Sequence, residues 1–155
     1  MKRRTAREYA LQFLYRIDFV NVPEGVARTF DRETDSAALR EDINAFWEEV
    51  EDKDPEIKAF AEGIIQGTIG NLEAIDALLQ KVAEKWKLSR MAAIDRNILR
   101  FATYELLFRK DIPSAVTINE ALEIAKKYST AESAAFINGL LDRIAREYGT
   151  KSDKD

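Results

Sequence analysis

The start of the chain combines cations and an aromatic ring at a spacing that suits RNA. At 100° per residue, one face of a helix over these residues would carry Arg4, Arg7, Leu11 and Tyr15, away from the apolar stripe that contains Phe13. Guanidinium groups bind phosphates, and a tyrosine ring can stack on a base. Arginines in the first turn oppose the helix dipole, so helix stability does not explain them. The pattern favours RNA binding; an ordinary solvated helix start is the alternative.

The last helical stretch carries a second candidate for base stacking. Its predicted buried stripe consists of Ile137, Leu140, Leu141, Ile144 and Tyr148. Phe136 lies about a right angle from the centre of that stripe, on the side of Arg143. The ring is therefore either an exposed platform for a base or an aromatic at the edge of the core. Gly139, inside the helical pattern, indicates either a turn or, as we prefer, a place where something packs or binds closely.

Residues for catalysis or metal binding are few. The chain has no cysteine and no histidine, which excludes Ser-His-Asp and Cys-His nucleophiles and most zinc sites. Glu105 falls near an apolar stripe, so we expect a partly buried, hydrogen-bonded carboxylate; a catalytic carboxylate is the alternative. The acidic residues 48–56 lack the pattern of a calcium loop, and the glycines of residues 63–70 indicate close helix packing, not a phosphate loop. We predict no catalytic residue, no metal and no cofactor.

Composition limits the class of protein. A chain of 155 residues with 46% hydrophobic residues is long enough to bury one core. The net charge of −4 argues against a general nucleic-acid coat, so RNA contact requires a local basic patch, completed by a partner. Polar residues interrupt the apolar stretch that an export signal would need, and no apolar run is long enough to cross a bilayer. We expect a cytoplasmic protein without a membrane segment.

Apolar residues recur at helical spacing almost throughout, which predicts an all-α fold. The predicted helices cover residues 3–20, 36–50, 55–70, 72–87, 89–109, 117–128 and, from 131 or 133, up to 148. The first helix is expected to stop near Pro23. Asp54 is expected to cap the third helix, and a capping box at residues 117–120 is expected to start the sixth helix. Residues 24–54 are predicted to be an acidic, partly helical insertion, and residues 150–155 a flexible tail.

Three stretches of the chain resemble one family in order and spacing. They are Arg3–Tyr15, then Asp95–Leu106 with Ile112-Pro113 and Ile118–Ala121 through Lys126, and finally Phe136–Asp142. Together they resemble the family of the bacterial transcription antitermination factor NusB. The resemblance implies a seven-helix fold in two small helical subdomains, with residues 1–149 forming a single RNA-binding domain.

The resemblance also implies a function. The family is non-enzymatic, pairs with NusE, a small-subunit ribosomal protein that doubles as an elongation factor, and binds the boxA element of nascent RNA. It thereby supports antitermination by the transcription elongation complex, notably in ribosomal RNA operons. By position, the expected RNA contacts are Arg3, Arg4, Arg7, Glu132 and Phe136. The expected NusE contacts are Tyr15, Asp95, Arg96 and Arg100.

The chain departs from the family pattern, and alternatives remain. Ala134 and Ala135 stand before Phe136, where a basic side chain is expected, which predicts weaker RNA binding by the last helix. The same fold occurs as the N-terminal domain of ribosomal RNA cytosine methyltransferases, so a stand-alone helical RNA-binding or adaptor domain is the alternative function. Leu11 and Tyr15, if exposed, would suit a homodimer as well as a heterodimer.

Overall fold

The computed structural model describes residues 1–20 and 32–149, and these residues are largely helical. The helices are α1 (Lys2–Val20), α2 (Arg32–Glu49), α3 (Pro55–Gly70), α4 (Leu72–Ala83), a 3₁₀ turn (Leu88–Arg90), α5 (Ala93–Phe108), α6 (Ser114–Tyr128) and α7 (Ala131–Tyr148). The all-α prediction with seven α-helices is confirmed for this part of the chain. The predicted stop near Pro23 and the predicted tail at 150–155 lie outside the described residues. None of the described helices is long and apolar enough to span a membrane.

The chain divides into two compact units, Met1–Gln66 and Gly67–Asp155, as the resemblance implied. In the first unit, α1 and α2 meet through aromatic rings. Phe46 contacts the edges of Tyr9 and Phe13, with ring centroids 6.4 and 5.5 Å apart. The buried Trp47 lies against Tyr9 at 5.7 Å. The described part of the predicted insertion is therefore a helix that contributes to a core.

In the second unit, α5 is the central helix and packs against α4, α6 and α7. Its buried apolar side chains point in several directions and include Ile98, Leu99, Phe101, Ala102 and Leu106. A helix that is apolar around most of its circumference must be enclosed by neighbours, which explains the central position. The middle of α5 is thus enclosed by its neighbours, whereas Ala93, Ile94 and Arg96 in its first turn are partly exposed.

Gly67, at the end of α3, allows one close approach in the second unit. A Cβ atom built on this glycine would lie 2.0 Å from Cζ of Tyr104. No side chain fits in that space, so the ring of Tyr104 packs directly on the backbone of Gly67. The prediction of close packing for the glycines of residues 63–70 is confirmed at this position.

The start of α3 confirms the predicted cap, whereas the end of α4 corrects a prediction. Asp54 directly precedes Pro55, and its carboxylate accepts a hydrogen bond from the backbone N–H of Glu56 at 2.9 Å. In contrast, α4 stops at Ala83 and not at residue 87, because Glu84 adopts a left-handed backbone with φ of 53°. Residues 85–87 consequently lie in a turn and not on a helix.

The start of α5 also differs from its prediction. Helix α5 begins at Ala93 instead of residue 89, and the preceding residues form the 3₁₀ turn. Arg96 holds that turn, because its guanidinium donates hydrogen bonds to the backbone oxygens of Leu88 and Met91, each at 3.0 Å. A side chain further along the chain thereby replaces the helical hydrogen bonds that the turn lacks.

The predicted capping box at residues 117–120 is wrong. Helix α6 begins at Ser114, after Pro113, whose carbonyl accepts from the backbone N–H of Val116 at 3.0 Å. Thr117 is buried inside the helix, and its hydroxyl donates to Oε1 of Glu105 at 2.9 Å. The hydroxyl pairs with a buried carboxylate of α5 because a carboxylate without a donor is costly in the interior.

Candidate nucleic-acid interface

The arginines of α1 are not all exposed. Arg3 is exposed and Arg4 half-buried, but Arg7 and Leu11 are only 2% and 4% exposed. The prediction of an open face that carries Arg4, Arg7, Leu11 and Tyr15 is therefore wrong for two of its four members. Only Tyr15, at 39%, and part of Arg4 reach solvent from that set.

Phe60 of α3 explains the burial of Arg7. The guanidinium carbons of Arg3 and Arg7 lie 4.8 and 5.1 Å from the centroid of the Phe60 ring. Helix α1 therefore buries a second face, in addition to the aromatic face against α2. A cation can occupy such a face because the negative π surface of the ring attracts it and its methylene stem packs as an apolar chain. Periodicity alone detects the apolar stripe and misses this second contact.

Lys2 pairs with acidic residues at the start of α3. Its Nζ atom lies 3.1 Å from the carboxylate of Asp54 and 3.3 Å from that of Glu56. The pKa of Lys2 is raised, mainly by the hydrogen bond to Asp54 and next by the one to Glu56. The pKa of Asp54 is lowered, mainly by the same hydrogen bond from Lys2. The lysine charge is thus compensated locally. Arg3 is left as the exposed guanidinium of this turn.

In the second unit, Phe136 of α7 lies at the edge of the core. The ring is half-buried and packs edge-on against Trp86, with centroids 6.0 Å apart and planes at 72°. Of the two alternatives, an open platform or a core-edge aromatic, the structure supports the second for Phe136. The exposed member of the pair is Trp86, whose side chain is 63% exposed.

Sequence reasoning missed Trp86. Trp86 lies on the predicted helix over residues 72–87, and a single aromatic side chain among polar residues of a helix does not by itself indicate a binding site. A signal was nevertheless available, because Lys85-Trp86-Lys87 places an aromatic between two cations.

Arg143 lies on the same side of α7 as Phe136 and forms hydrogen bonds through Nε and Nη1. Its guanidinium donates to carboxylate oxygens of Glu147 at 2.7 Å and Glu84 at 3.2 Å, and to the carbonyl oxygen of Val82 at 3.2 Å. The hydrogen bonds to Glu147 and then Glu84 raise its pKa. Arg143 therefore joins α7 to the end of α4.

The remaining positions of α7 are open. Glu132 and Ala135 are exposed, and Thr130 caps the helix by accepting from the backbone N–H of Ser133 at 2.9 Å. A Cβ atom built on Gly139 would meet no neighbouring atom of the described residues within 4 Å, and the helix continues through this residue. As far as the described residues show, the predictions of a turn and of close packing within the chain are therefore both wrong for Gly139. Of the explanations predicted for this glycine, close binding of another molecule is the one that its exposed position still allows.

Three of the residues expected to contact a partner protein lie together in the first two turns of α5. Arg100 donates through Nε and Nη2 to both oxygens of Asp76 in α4, at 2.8 Å each. Asp95 accepts from the hydroxyl of Ser133 in α7 at 2.8 Å, while its buried Oδ1 atom finds no hydrogen-bond partner within the described ranges. With Arg96 on the 3₁₀ turn, these side chains organise the second unit. Tyr15, the fourth expected contact, belongs to the first unit.

Glu105 is 0% exposed and bound by Thr117, which confirms the expectation of a buried, hydrogen-bonded carboxylate. A side chain without solvent contact cannot meet a substrate, so the catalytic alternative loses its basis. Within the described ranges, no three Asp or Glu side chains are grouped so that they could hold a metal ion. Among many exposed carboxylates, the surface also carries cationic and aromatic side chains such as Arg3 and Trp86, which suit a polyanion with bases.

Comparisons with known proteins agree with the fold. A profile described as the NusB family matches residues 4–146. The transcription antitermination protein NusB of Thermodesulfovibrio yellowstonii is 53% identical over 148 residues, which are 95% of this chain and 93% of that protein. The structure of T. maritima NusB has a TM-score of 0.75 at 40% identity and covers 95% of this chain and 92% of its own. A structure of antitermination factors NusB and NusE in complex with dsRNA has a TM-score of 0.76 at 24% identity, with 95% and 98% covered.

Proposed function

The chain belongs to the NusB family of transcription antitermination proteins, which are not enzymes, and we propose that it pairs with NusE and binds boxA-type nascent RNA. The pair would join the transcription elongation complex in the cytoplasm and support ribosomal RNA transcription. The observation that carries this proposal is the match at 53% identity over nearly the full length of both chains. A protein of the same fold has been seen with NusE and dsRNA, in support of these partners.

We assign phosphate contact to Arg3 and Arg4 of α1. Arg3 is exposed, and the Phe60 ring 4.8 Å from its guanidinium carbon holds it without using its N–H groups. Arg7 is buried on the same ring at 5.1 Å, so we assign it a supporting role through Phe60. On α7, the exposed Glu132 carboxylate can accept a hydrogen bond from a base, and the outer edge of Phe136 can contact one.

We assign the NusE contact to Tyr15 and to the start of α5. Tyr15 is 39% exposed, and a tyrosine of this kind often anchors a protein interface. Asp95 is only 8% exposed in the first turn of α5, so we assign it to the edge of this contact. Arg96 and Arg100 act by fixing the 3₁₀ turn and Asp76, respectively.

The test of this proposal compares a boxA oligonucleotide with a scrambled one, with and without NusE, by fluorescence anisotropy. We expect preference for boxA and tighter binding when NusE is present. Arg3→Ala should weaken binding and reduce the slope of log K against log salt by about 0.7, the value for one phosphate of a single strand. Arg16→Ala is the matched control, because Arg16 is an exposed arginine of the same helix that pairs with Glu49.

Two outcomes would argue against the proposal. Equal affinity for the scrambled RNA in the presence of NusE would refute boxA recognition. An identical salt slope for Arg3→Ala and the wild type would remove Arg3 from the RNA site.

A further inference from the structure

Among the residues whose exposure the structure describes, Trp86 is the most exposed large hydrophobic side chain after the terminal Met1, with 63% of its surface open. Burial of a tryptophan on folding would contribute a large favourable free energy, and this ring forgoes most of it. One edge contact with Phe136 leaves much of the indole accessible. Such a ring suits a ligand with a flat apolar face.

The turn that carries Trp86 is fixed. The side-chain amide of Gln80 donates from Nε2 to the carbonyl oxygen of Trp86 at 3.0 Å and accepts at Oε1 from the backbone N–H of Leu88 at 2.9 Å. The backbone N–H of Trp86 donates a hydrogen bond to the carbonyl oxygen of Ala83 at 3.2 Å. Arg143 donates a hydrogen bond to the carboxylate of Glu84. A fixed backbone reduces the entropy lost when a ligand stacks on the ring.

The sequence around Trp86 is cationic. Residues 81–90 contain four basic residues and one acidic residue, a local charge of +3 in a chain whose net charge is −4. The basic residues are Lys81, Lys85, Lys87 and Arg90. Glu84, the acidic residue, is paired with Arg143. The residues before and after Trp86 in the sequence are thus exposed lysines, where a protein-docking tryptophan would be expected among apolar neighbours.

We propose that Trp86 is a stacking platform for an unpaired RNA base, with Lys85 and Lys87 on the flanking phosphates. Base stacking on an aromatic ring tolerates any base, so this contact adds affinity and contributes little to sequence preference. The Phe136 edge sets the orientation of the indole, and Gln80 fixes its backbone. The inference rests on the proposed function, because it extends the RNA surface of the same protein.

Tryptophan fluorescence tests the stacking directly. The two tryptophans differ, since Trp47 is 6% exposed and Trp86 is 63% exposed. Titration with a single-stranded boxA-type oligonucleotide in the presence of NusE should quench the wild-type emission, and Trp86→Phe should remove that quenching. A scrambled strand should quench as well once it is added to saturation, because stacking does not depend on sequence.

Affinity measurements complete the test. Trp86→Leu should weaken RNA binding about tenfold, within the range for the loss of one stacked base. Replacing Lys85 and Lys87 by Gln should lower the salt slope by about 0.7 per lysine. Tyr128→Leu is the matched control, because Tyr128 is 38% exposed and follows Lys126 and Lys127, and it should bind like the wild type. Circular dichroism and thermal unfolding check that each variant is folded.

The outcomes separate this inference from the proposed function. Loss of boxA preference with quenching retained would overturn the proposed function and support the platform. Full affinity of a folded Trp86→Leu protein would overturn the platform and leave the proposed function intact. Weaker NusE binding by Trp86→Leu without RNA would also overturn it, because the ring would then be a protein contact.

Discussion

At the level of residues, contacts between helices decide which polar side chains are buried and which are exposed. Arg7, which sequence pattern placed on an open face, is sequestered by the ring of Phe60. Thr117, which looked like a helix cap, supplies a hydroxyl to the carboxylate of Glu105. In both cases the partner comes from a different helix, and a polar group in the interior must find one.

The Glu105–Thr117 hydrogen bond gives a prediction about stability. Thr117→Val keeps the shape of the side chain but deprives the buried carboxylate of this donor, so we expect the free energy of unfolding to fall by about 2 kcal/mol. Thr117→Ser keeps the hydroxyl and loses one methyl group, so it should cost about 1 kcal/mol or less. Urea denaturation measures both values. A loss for Thr117→Val no larger than that for Thr117→Ser would contradict the assigned role.

At the level of elements, the glycines of two helices have opposite surroundings. Gly67 faces the ring of Tyr104, which stacks on Phe108 with centroids 5.7 Å apart, whereas Gly139 faces open space in the middle of α7. Glycine lowers the stability of a helix interior unless a close approach requires it. Such a requirement exists within the chain for Gly67 but is not seen for Gly139 among the described residues.

Alanine substitutions at these two glycines should act in opposite directions. Gly67→Ala should lower the free energy of unfolding by about 2 kcal/mol, because the new methyl group overlaps the Tyr104 ring. Gly139→Ala should raise it by about 1 kcal/mol, because alanine favours the helix. Thermal or urea unfolding measures each change.

The Gly139→Ala variant also tests whether a ligand approaches Gly139. If RNA or NusE packs on the backbone there, Gly139→Ala should weaken binding although the protein becomes more stable. Binding equal to the wild type would show that the glycine has no role in recognition, and the helix would then carry it without a benefit that the structure explains.

At the level of the whole molecule, charge is the main constraint on RNA binding. The chain carries 24 basic and 28 acidic residues, and a net charge of −4 repels a polyanion at a distance. Within residues 1–20 and 32–149, several cations are already paired with carboxylates, among them Lys2, Arg16, Arg40 and Arg100. A basic partner is the simplest way to add the positive surface that RNA requires.

Salt dependence measures the contribution of that partner. We expect the chain alone to bind RNA with a shallow slope of log K against log salt, from a few phosphate contacts at about 0.7 each. With NusE the slope should steepen, because additional cations contact the strand. Sedimentation of the free chain in the same buffers would show whether a homodimer through Tyr15 competes with NusE. An unchanged slope with NusE bound would mean that the partner adds no phosphate contacts.

The sequence by itself determined the class and most of the helices. Apolar residues at helical spacing and few glycines and prolines are local properties, so the seven helices, the Asp54 cap and the start of α7 followed from them. The motifs of α1, α5 and α7 indicated the family, which the comparisons then showed. Glu132 of α7, which the structure places on the exposed surface, was indicated by the resemblance alone.

The tertiary structure alone decided which polar and aromatic residues are open. Burial of Arg7 depends on Phe60, which lies more than 50 positions along the chain, and the edge contact of Trp86 depends on Phe136 of α7. Helical periodicity describes one helix at a time and contains no information about which neighbour covers its second face. Partners distant in sequence supply that information, because only folding brings them into contact.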